Sequence, residues 1–271
     1  MKTYAKFLPA VLIGLLSGTA SAALQFDQNV TPGVIFGSGN ANGSFTVGTY
    51  NDGIGGAIEL GLRAKLRHDA TGQPQNIFNS KNDGTYSFDA GVAPTQAAPT
   101  AVWNFEWSIN SDVLSDGNGP RALDAFTYWL SLDIDPSATV NYGIAFDPIL
   151  GSNNPAGFWD HSFGTNLTTA ATDSKATDVA SYGDLVAVSN VVQNSWKAHW
   201  FFGPTFDPTV DGIYNIRLSA IGENGRDELA FTEIQVIVGA PSTGTPVPEP
   251  GTLALTSLGL MGAWFARRRR R

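Results

Sequence analysis

Between residues 43 and 238 the chain alternates apolar and polar side chains with a period of two. No other feature limits the fold as much. Ile58, Leu60, Leu62, Ala64 and Leu66 share one face of an extended segment, and Glu59, Arg63, Lys65 and Arg67 share the other. The same rhythm places Trp103, Phe105, Trp107 and Ile109 opposite Asn104, Glu106 and Ser108. It recurs over 126–134, 140–146, 214–220 and 234–238, with weaker segments at 43–50, 85–89, 184–192 and 196–202. Successive side chains of a strand point to opposite faces, so this pattern predicts antiparallel strands with one apolar and one wet face. Turn formers punctuate it: Asn51-Asp52-Gly53, Asn82-Asp83-Gly84, Asp116-Gly117-Asn118-Gly119 and Glu223-Asn224-Gly225. The last of these closes a hairpin of 212–221 with 229–238. No helical apolar period is sustained, and no 20–50-residue repeat is visible. The expectation is an all-β, antiparallel two-sheet sandwich or jelly-roll-like domain of nine or ten short strands and no helix.

Charge and cysteine content remove several function classes. The 271 residues hold 16 Lys+Arg, 24 Asp+Glu and no cysteine. Disulfides, thiolate metal sites and a cysteine nucleophile are therefore excluded. Seven of the basic residues lie at the two ends (Lys2, Lys6 and Arg267 to Arg271). Residues 24–245 keep nine against 23 acids, a balance of −14. Such a surface repels phosphate backbones, which argues against a nucleic-acid partner.

The two ends read as addresses. Lys2 and Lys6 precede an apolar run over Phe7–Leu16, and Ala20-Ser21-Ala22 supplies the small residues of a cleavage site. Residues 1–22 are thus expected to be a secretory signal peptide, with the Sec translocon and signal peptidase as partners. After the β domain at 23–240, residues 241–250 form a proline-rich linker of extended geometry. Gly251–Ala266 is uncharged and mostly apolar, with Leu253, Leu255, Leu258 and Leu260, an interfacial Trp264, and then Arg267, Arg268, Arg269, Arg270 and Arg271. Residues 251–271 are expected to be a single transmembrane helix with a cytoplasmic arginine cluster, short against the usual span of about 20 residues.

Pro248-Glu249-Pro250, an apolar segment and a terminal arginine cluster, in that order, resemble the PEP-CTERM sorting signal of Gram-negative bacteria. The resemblance covers residues 246–271. It implies recognition by an exosortase, a membrane-embedded processing enzyme, in a system associated with exopolysaccharide and biofilm. The central domain resembles secreted proteins that bear this tag, a likeness that implies no activity.

Within the domain, each candidate site has a structural alternative. His68, His161 and His199 show no metal-binding spacing, and no GxSxG nucleophile elbow occurs. A glycosidase needs two carboxylates across a cleft, but Glu106 has no second acid on its strand and reads as an ordinary solvated or hydrogen-bonded glutamate. Trp129, on the polar side of its strand, and Trp159, in a loop, could stack on sugar rings. Equally, a loop could cover Trp129, and Trp159 could plug an end of the sandwich. Asp133, Asp135 and Asp147 are weak calcium candidates, as are Asp112, Asp116 and Asn118. Solvated turn aspartates explain both sets. The stripe Arg63, Lys65, Arg67 and His68 could meet an anionic glycan, but reads first as a solvated strand face that discourages edge pairing. No cofactor is expected.

The sequence therefore points to an exported, tail-anchored, exosortase-processed surface or matrix protein without a catalytic role. A carbohydrate-binding module is the alternative, and a polysaccharide hydrolase a weaker one.

Overall fold

The computed structural model describes residues 23–53, 56–115, 121–222 and 225–239. The signal peptide, linker, sorting motif, apolar segment and arginine cluster lie outside the described residues, as do Asp116, Asn118 and the first two residues of the 223–225 turn. Among the described residues no helix is long and apolar enough to cross a membrane.

Among the described residues eleven strands and one α-helix follow in order: β1 (Gln25–Gln28), β2 (Phe45–Asn51), β3 (Ala57–Leu66), β4 (Thr85–Phe88), β5 (Trp103–Asn110), β6 (Thr127–Asp133), β7 (Tyr142–Phe146), β8 (Ser162–Gly164), α1 (Val179–Val188), β9 (Val191–Lys197), β10 (Gly212–Ile221) and β11 (Glu228–Val238). They build a six-stranded sheet, β1-β2-β3-β5-β9-β8, and a five-stranded sheet, β4-β11-β10-β6-β7. The apolar faces meet in one core. Leu60 and Leu62 of β3 and Trp103, Phe105 and Trp107 of β5 pack with Tyr128, Leu130 and Leu132 of β6, Ile216 and Leu218 of β10, and Val236 of β11. Burying each such side chain is worth roughly 1.5–3 kcal/mol. Gly48 marks where the sheets pinch together: a Cβ there would sit 1.7 Å from the Phe231 carbonyl oxygen. Beside it Thr232 Oγ1 donates to Thr46 O at 2.7 Å.

The β10–β11 hairpin forms as its sequence pattern predicts, in register from Gly212↔Val238 to Ala220↔Ala230. Three expectations are corrected. First, β4 joins β11 in parallel, so the smaller sheet is mixed. Second, a helix exists. The segments 184–192 and 196–202, read as two strands, are instead α1, a single strand β9 and a 3₁₀ turn at Ala198–Trp200. Asp178 starts α1 by a reciprocal cap: its carboxylate accepts from Ser181 N at 2.8 Å, and Ser181 Oγ accepts from Asp178 N at 3.1 Å. Only Tyr182 of α1 is buried, so no apolar helical stripe betrays it in the sequence.

Third, the larger sheet has no wet face at its centre. All eight residues of β5 and nine of the ten in β3 are buried. The cover is the 29–44 segment, which straps across the outer face. Val30 and Val34 pack there against Phe45 and Val47. Gly61 makes the room: a Cβ at that position would lie 2.6 Å from Val30 Cγ1. The outer face holds the strap by its backbone. Gln193 accepts from Ile35 N at 2.8 Å and donates to Gly33 O at 2.7 Å. Asn110 donates to Thr31 O at 2.9 Å.

Candidate functional site

The basic stripe and Glu106 meet beneath this strap. Register pairs Arg63 with Glu106 and Lys65 with Asn104. Arg63 Nε donates to Glu106 Oε2 at 2.7 Å, and Lys65 Nζ lies 3.5 Å from Oε1. The Arg63 guanidinium also donates to Ala41 O and Gly43 O, at 2.9 and 2.7 Å. It lies between the rings of Phe45 and Phe78, at 4.1 and 4.3 Å. Arg63 and Glu106 are fully buried. Burial pushes the pKa of both Arg63 and Lys65 down, while Glu106 opposes the shift. This corrects the solvated-stripe reading for Arg63 and Lys65, whose chemistry is that of a buried ion pair joining strap to sheet. Glu106, enclosed by these partners, faces no cleft. Nearby Glu59 accepts from Thr31 N at 2.6 Å, and burial raises its pKa to about 7.

The outer face of the smaller sheet is open. Trp129 stands on it, 44% exposed and paired in register with Ser219. On the next strand, Arg217 donates to Glu233 at 2.9 Å and to Glu228 at 2.7 Å, and lies 3.8 Å over the Phe231 ring. Ser219 Oγ donates to the other oxygen of Glu228 at 2.7 Å. Trp129 thus lies beside an ordered row of hydroxyl, guanidinium and carboxylate groups.

Trp159 is placed differently. It is half-buried, its ring centroid 5.2 Å from Trp196 and 6.0 Å from His161, and its Nε1 donates to Leu150 O at 3.3 Å. It packs within an aromatic group that also holds Phe146 and Phe201. His161 is sealed in the same group. Its Nε2 donates to Pro148 O at 2.8 Å, and its Nδ1 accepts from Asn194 at 2.8 Å. Burial lowers its pKa to about 4, so it is a neutral core histidine.

The calcium candidates do not converge. Asp133 ends β6, buried, and accepts from Asn215 Nδ2 at 3.1 Å and from Asp135 N at 3.2 Å. Asp147 accepts from Tyr128 N at 3.2 Å and Ile149 N at 2.8 Å, beside the start of the same strand. Five residues of strand, about 16 Å, separate the two. Asp112 accepts from Arg121 N at 3.1 Å. Among the described residues no group of three His, Asp or Glu is arranged to hold a metal ion.

Two surface hollows adjoin the sandwich. One of about 560 Å³ lies against α1 and is lined by Leu123, Tyr128, Asp147, Ile149 and Tyr182. Another of about 410 Å³ is lined by Tyr50, Asp52, Arg121, Phe126 and Asp227. Neither includes Trp129 or Trp159. Trp200, not among the candidates named from the sequence, is 56% exposed. The cation–aromatic run Lys197-Ala198-His199-Trp200 was the available signal.

Residues 246–271 match the family model of the PEP-CTERM protein-sorting motif. Among curated proteins, none matches the chain. The motif supports an exported, exosortase-processed protein whose sorting is associated with the membrane.

Proposed function

We propose that this chain is a non-enzymatic protein of the cell surface or extracellular polymer. A signal peptide exports it, Gly251–Ala266 holds it transiently at the inner membrane, and an exosortase releases it near Pro248-Glu249-Pro250. The sorting motif at 246–271 is the observation that carries this reading. The linker keeps the tripeptide clear of the sandwich, and the arginines resist crossing the bilayer. Glu106, the one acid weighed for glycoside hydrolysis, is also spoken for, since it holds Arg63. Intact-mass measurement of surface protein from its own host tests the reading. Material lacking residues 1–22 and Arg267–Arg271 is expected. Surface molecules that mostly retain the arginines would refute processing.

A second reading, carbohydrate binding, is favoured by the exposed ring of Trp129 beside Ser219, Arg217 and Glu228. An aromatic face flanked by polar groups suits a sugar ring. Retention of the protein by neutral glycans, lost on Trp129→Ala, would support it.

A further inference from the structure

We propose a second, distinct binding site at the open end of the strapped sheet, where Trp200, Lys197 and Arg67 form a platform for acidic sugars. The proposal deepens the surface-protein reading by naming the ligand class the domain would hold.

The placement follows from register. β3, β5 and β9 lie side by side, and Lys65, Asn104 and Lys197 form one cross-strand row of the outer face. Arg67 follows two residues beyond Lys65, with its N–H donating to Val102 O at 2.8 Å. The strap anchors Lys65 through Asn40, and Glu106 of β5 is its counter-charge. Beyond that point the cover ends and the pairing with it. Arg67 and Lys197 are half-buried, and among the described residues neither has a carboxylate within 4.0 Å. Asp69, the acid nearest in sequence, spends its carboxylate on Thr71, Gln73 and Gln75. The local charge is felt by the neighbouring imidazoles. Burial first, then Lys197 and Arg67, lowers the pKa of His68, and Lys197 adds to burial at His199.

In a segment of net charge −14, Lys197 beside an exposed indole, with Arg67 acting on the same neighbouring imidazole, is out of keeping with the rest of the surface. Lys197 Nζ lies 5.7 Å from the Trp200 ring centroid. One face of that indole offers the flat apolar surface that the C–H face of a sugar ring covers. Lys197 stands beside that ring, where a carboxylate on the same or the next sugar would project, and Arg67 adds positive charge around the neighbouring His68. Trp129 lacks this complement, because the cation beside it is already held by Glu228 and Glu233. The surrounding acidity disfavours duplex nucleic acid, whose phosphates are denser than the carboxylates of a uronate chain.

Affinity electrophoresis of the full chain in gels containing polygalacturonate, dextran or duplex DNA tests the site. Retardation is expected in polygalacturonate alone, weakening as salt is raised. Trp200→Ala and Lys197→Gln should each weaken it about tenfold, while Trp129→Ala leaves it unchanged. All three positions are at the surface, so unaltered circular dichroism and melting would confirm folded variants, with Arg67→Gln as a further independent probe. The proposal is overturned if wild type is not retarded, if Trp200→Ala binds like wild type, or if DNA retards the protein equally, since charge alone would then explain the binding. Loss of binding through Trp129→Ala instead would move the site to the other sheet.

Discussion

Arg63 and Arg217 occupy corresponding positions on the two sheets. Each points outward from a strand, lies over a phenylalanine ring at about 4 Å, and pairs with glutamate. Arg63 is sealed beneath the strap at 0% exposure, whereas the Arg217 side chain is 25% exposed. Burial wins at Arg63 and lowers its pKa. At Arg217 burial also pulls downward, but its hydrogen bonds to Glu228 and Glu233 outweigh it. An identical pairing chemistry is therefore structural on one sheet and peripheral on the other, because only one sheet carries a second layer. Removing half of a buried pair strands a charge without solvent; an exposed charge falls back on water.

The largest expected effect breaks the buried side of this comparison. Glu106→Ala should destabilise by about 3–5 kcal/mol, since it leaves Arg63 and Lys65 buried without a counter-charge. The double variant Arg63→Met, Glu106→Leu should lose less than Glu106→Ala, as read from urea midpoints. A double variant as unstable as the single one would show that the charges contribute net stability. Trp107→Ala, in the shared core, should cost about 3–5 kcal/mol, against about 0.5 kcal/mol or less for Trp129→Ala on the open face. Equal losses at the two tryptophans would contradict the assignment of faces.

Gly61→Ala should cost about 1–3 kcal/mol by driving a methyl group into Val30, with part of that recovered by adding Val30→Ala. Full stability in the single variant would mean that the strap rides loosely on β3. The smallest effect belongs to the open pair. Glu233→Gln should change stability by under about 1 kcal/mol, and less in high salt, because Glu228 still holds Arg217.

Two buried groups of the larger sheet give opposite pH responses, Glu59 beneath the strap and His161 in the aromatic group beside β9. Glu59 is raised by burial from 4.5 to about 7. Its contribution to stability is therefore fully present below the unfolded value and lost as pH rises through about 7. His161, lowered from 6.5 to about 4, acts oppositely: its contribution is present above 6.5 and lost as pH falls through about 4. Denaturation of Glu59→Gln should show a smaller loss of stability between pH 4.5 and 7 than wild type. An unchanged profile would mean that Glu59 titrates normally.

Much of the sheet architecture was legible along the chain. The alternation over 58–66, 103–109 and 126–134 marks β3, β5 and β6, and the 212–238 hairpin falls where its turn and pattern place it. Short β1 and β8 were not seen, because strands of four and three residues are too brief to show a period. For the candidate sites the sequence was a poorer guide. It grouped Arg63 with Arg67 as one solvated stripe, yet the strap covers the first and stops short of the second. It grouped Asp133 with Asp147, yet the strand between them holds them apart. Trp200 has Lys197, three residues earlier, 5.7 Å from its ring, a local pairing that the sequence carried unread.

What the sequence determined by itself is what depends on neighbours along the chain: which residues share a strand face, where hairpins turn, and the contiguous sorting motif at 246–271. Those properties follow from backbone geometry and local composition, and they need no partner from elsewhere. Only the tertiary structure decided which polar face stays wet. The 29–44 segment, itself lacking a strong periodic signature, buries Glu59, Arg63 and Lys65 by lying across a sheet assembled from strands as distant as β9. Burial of a charge depends on everything that surrounds it, and the cover here comes from residues whose own sequence gives no sign of the surface they will meet.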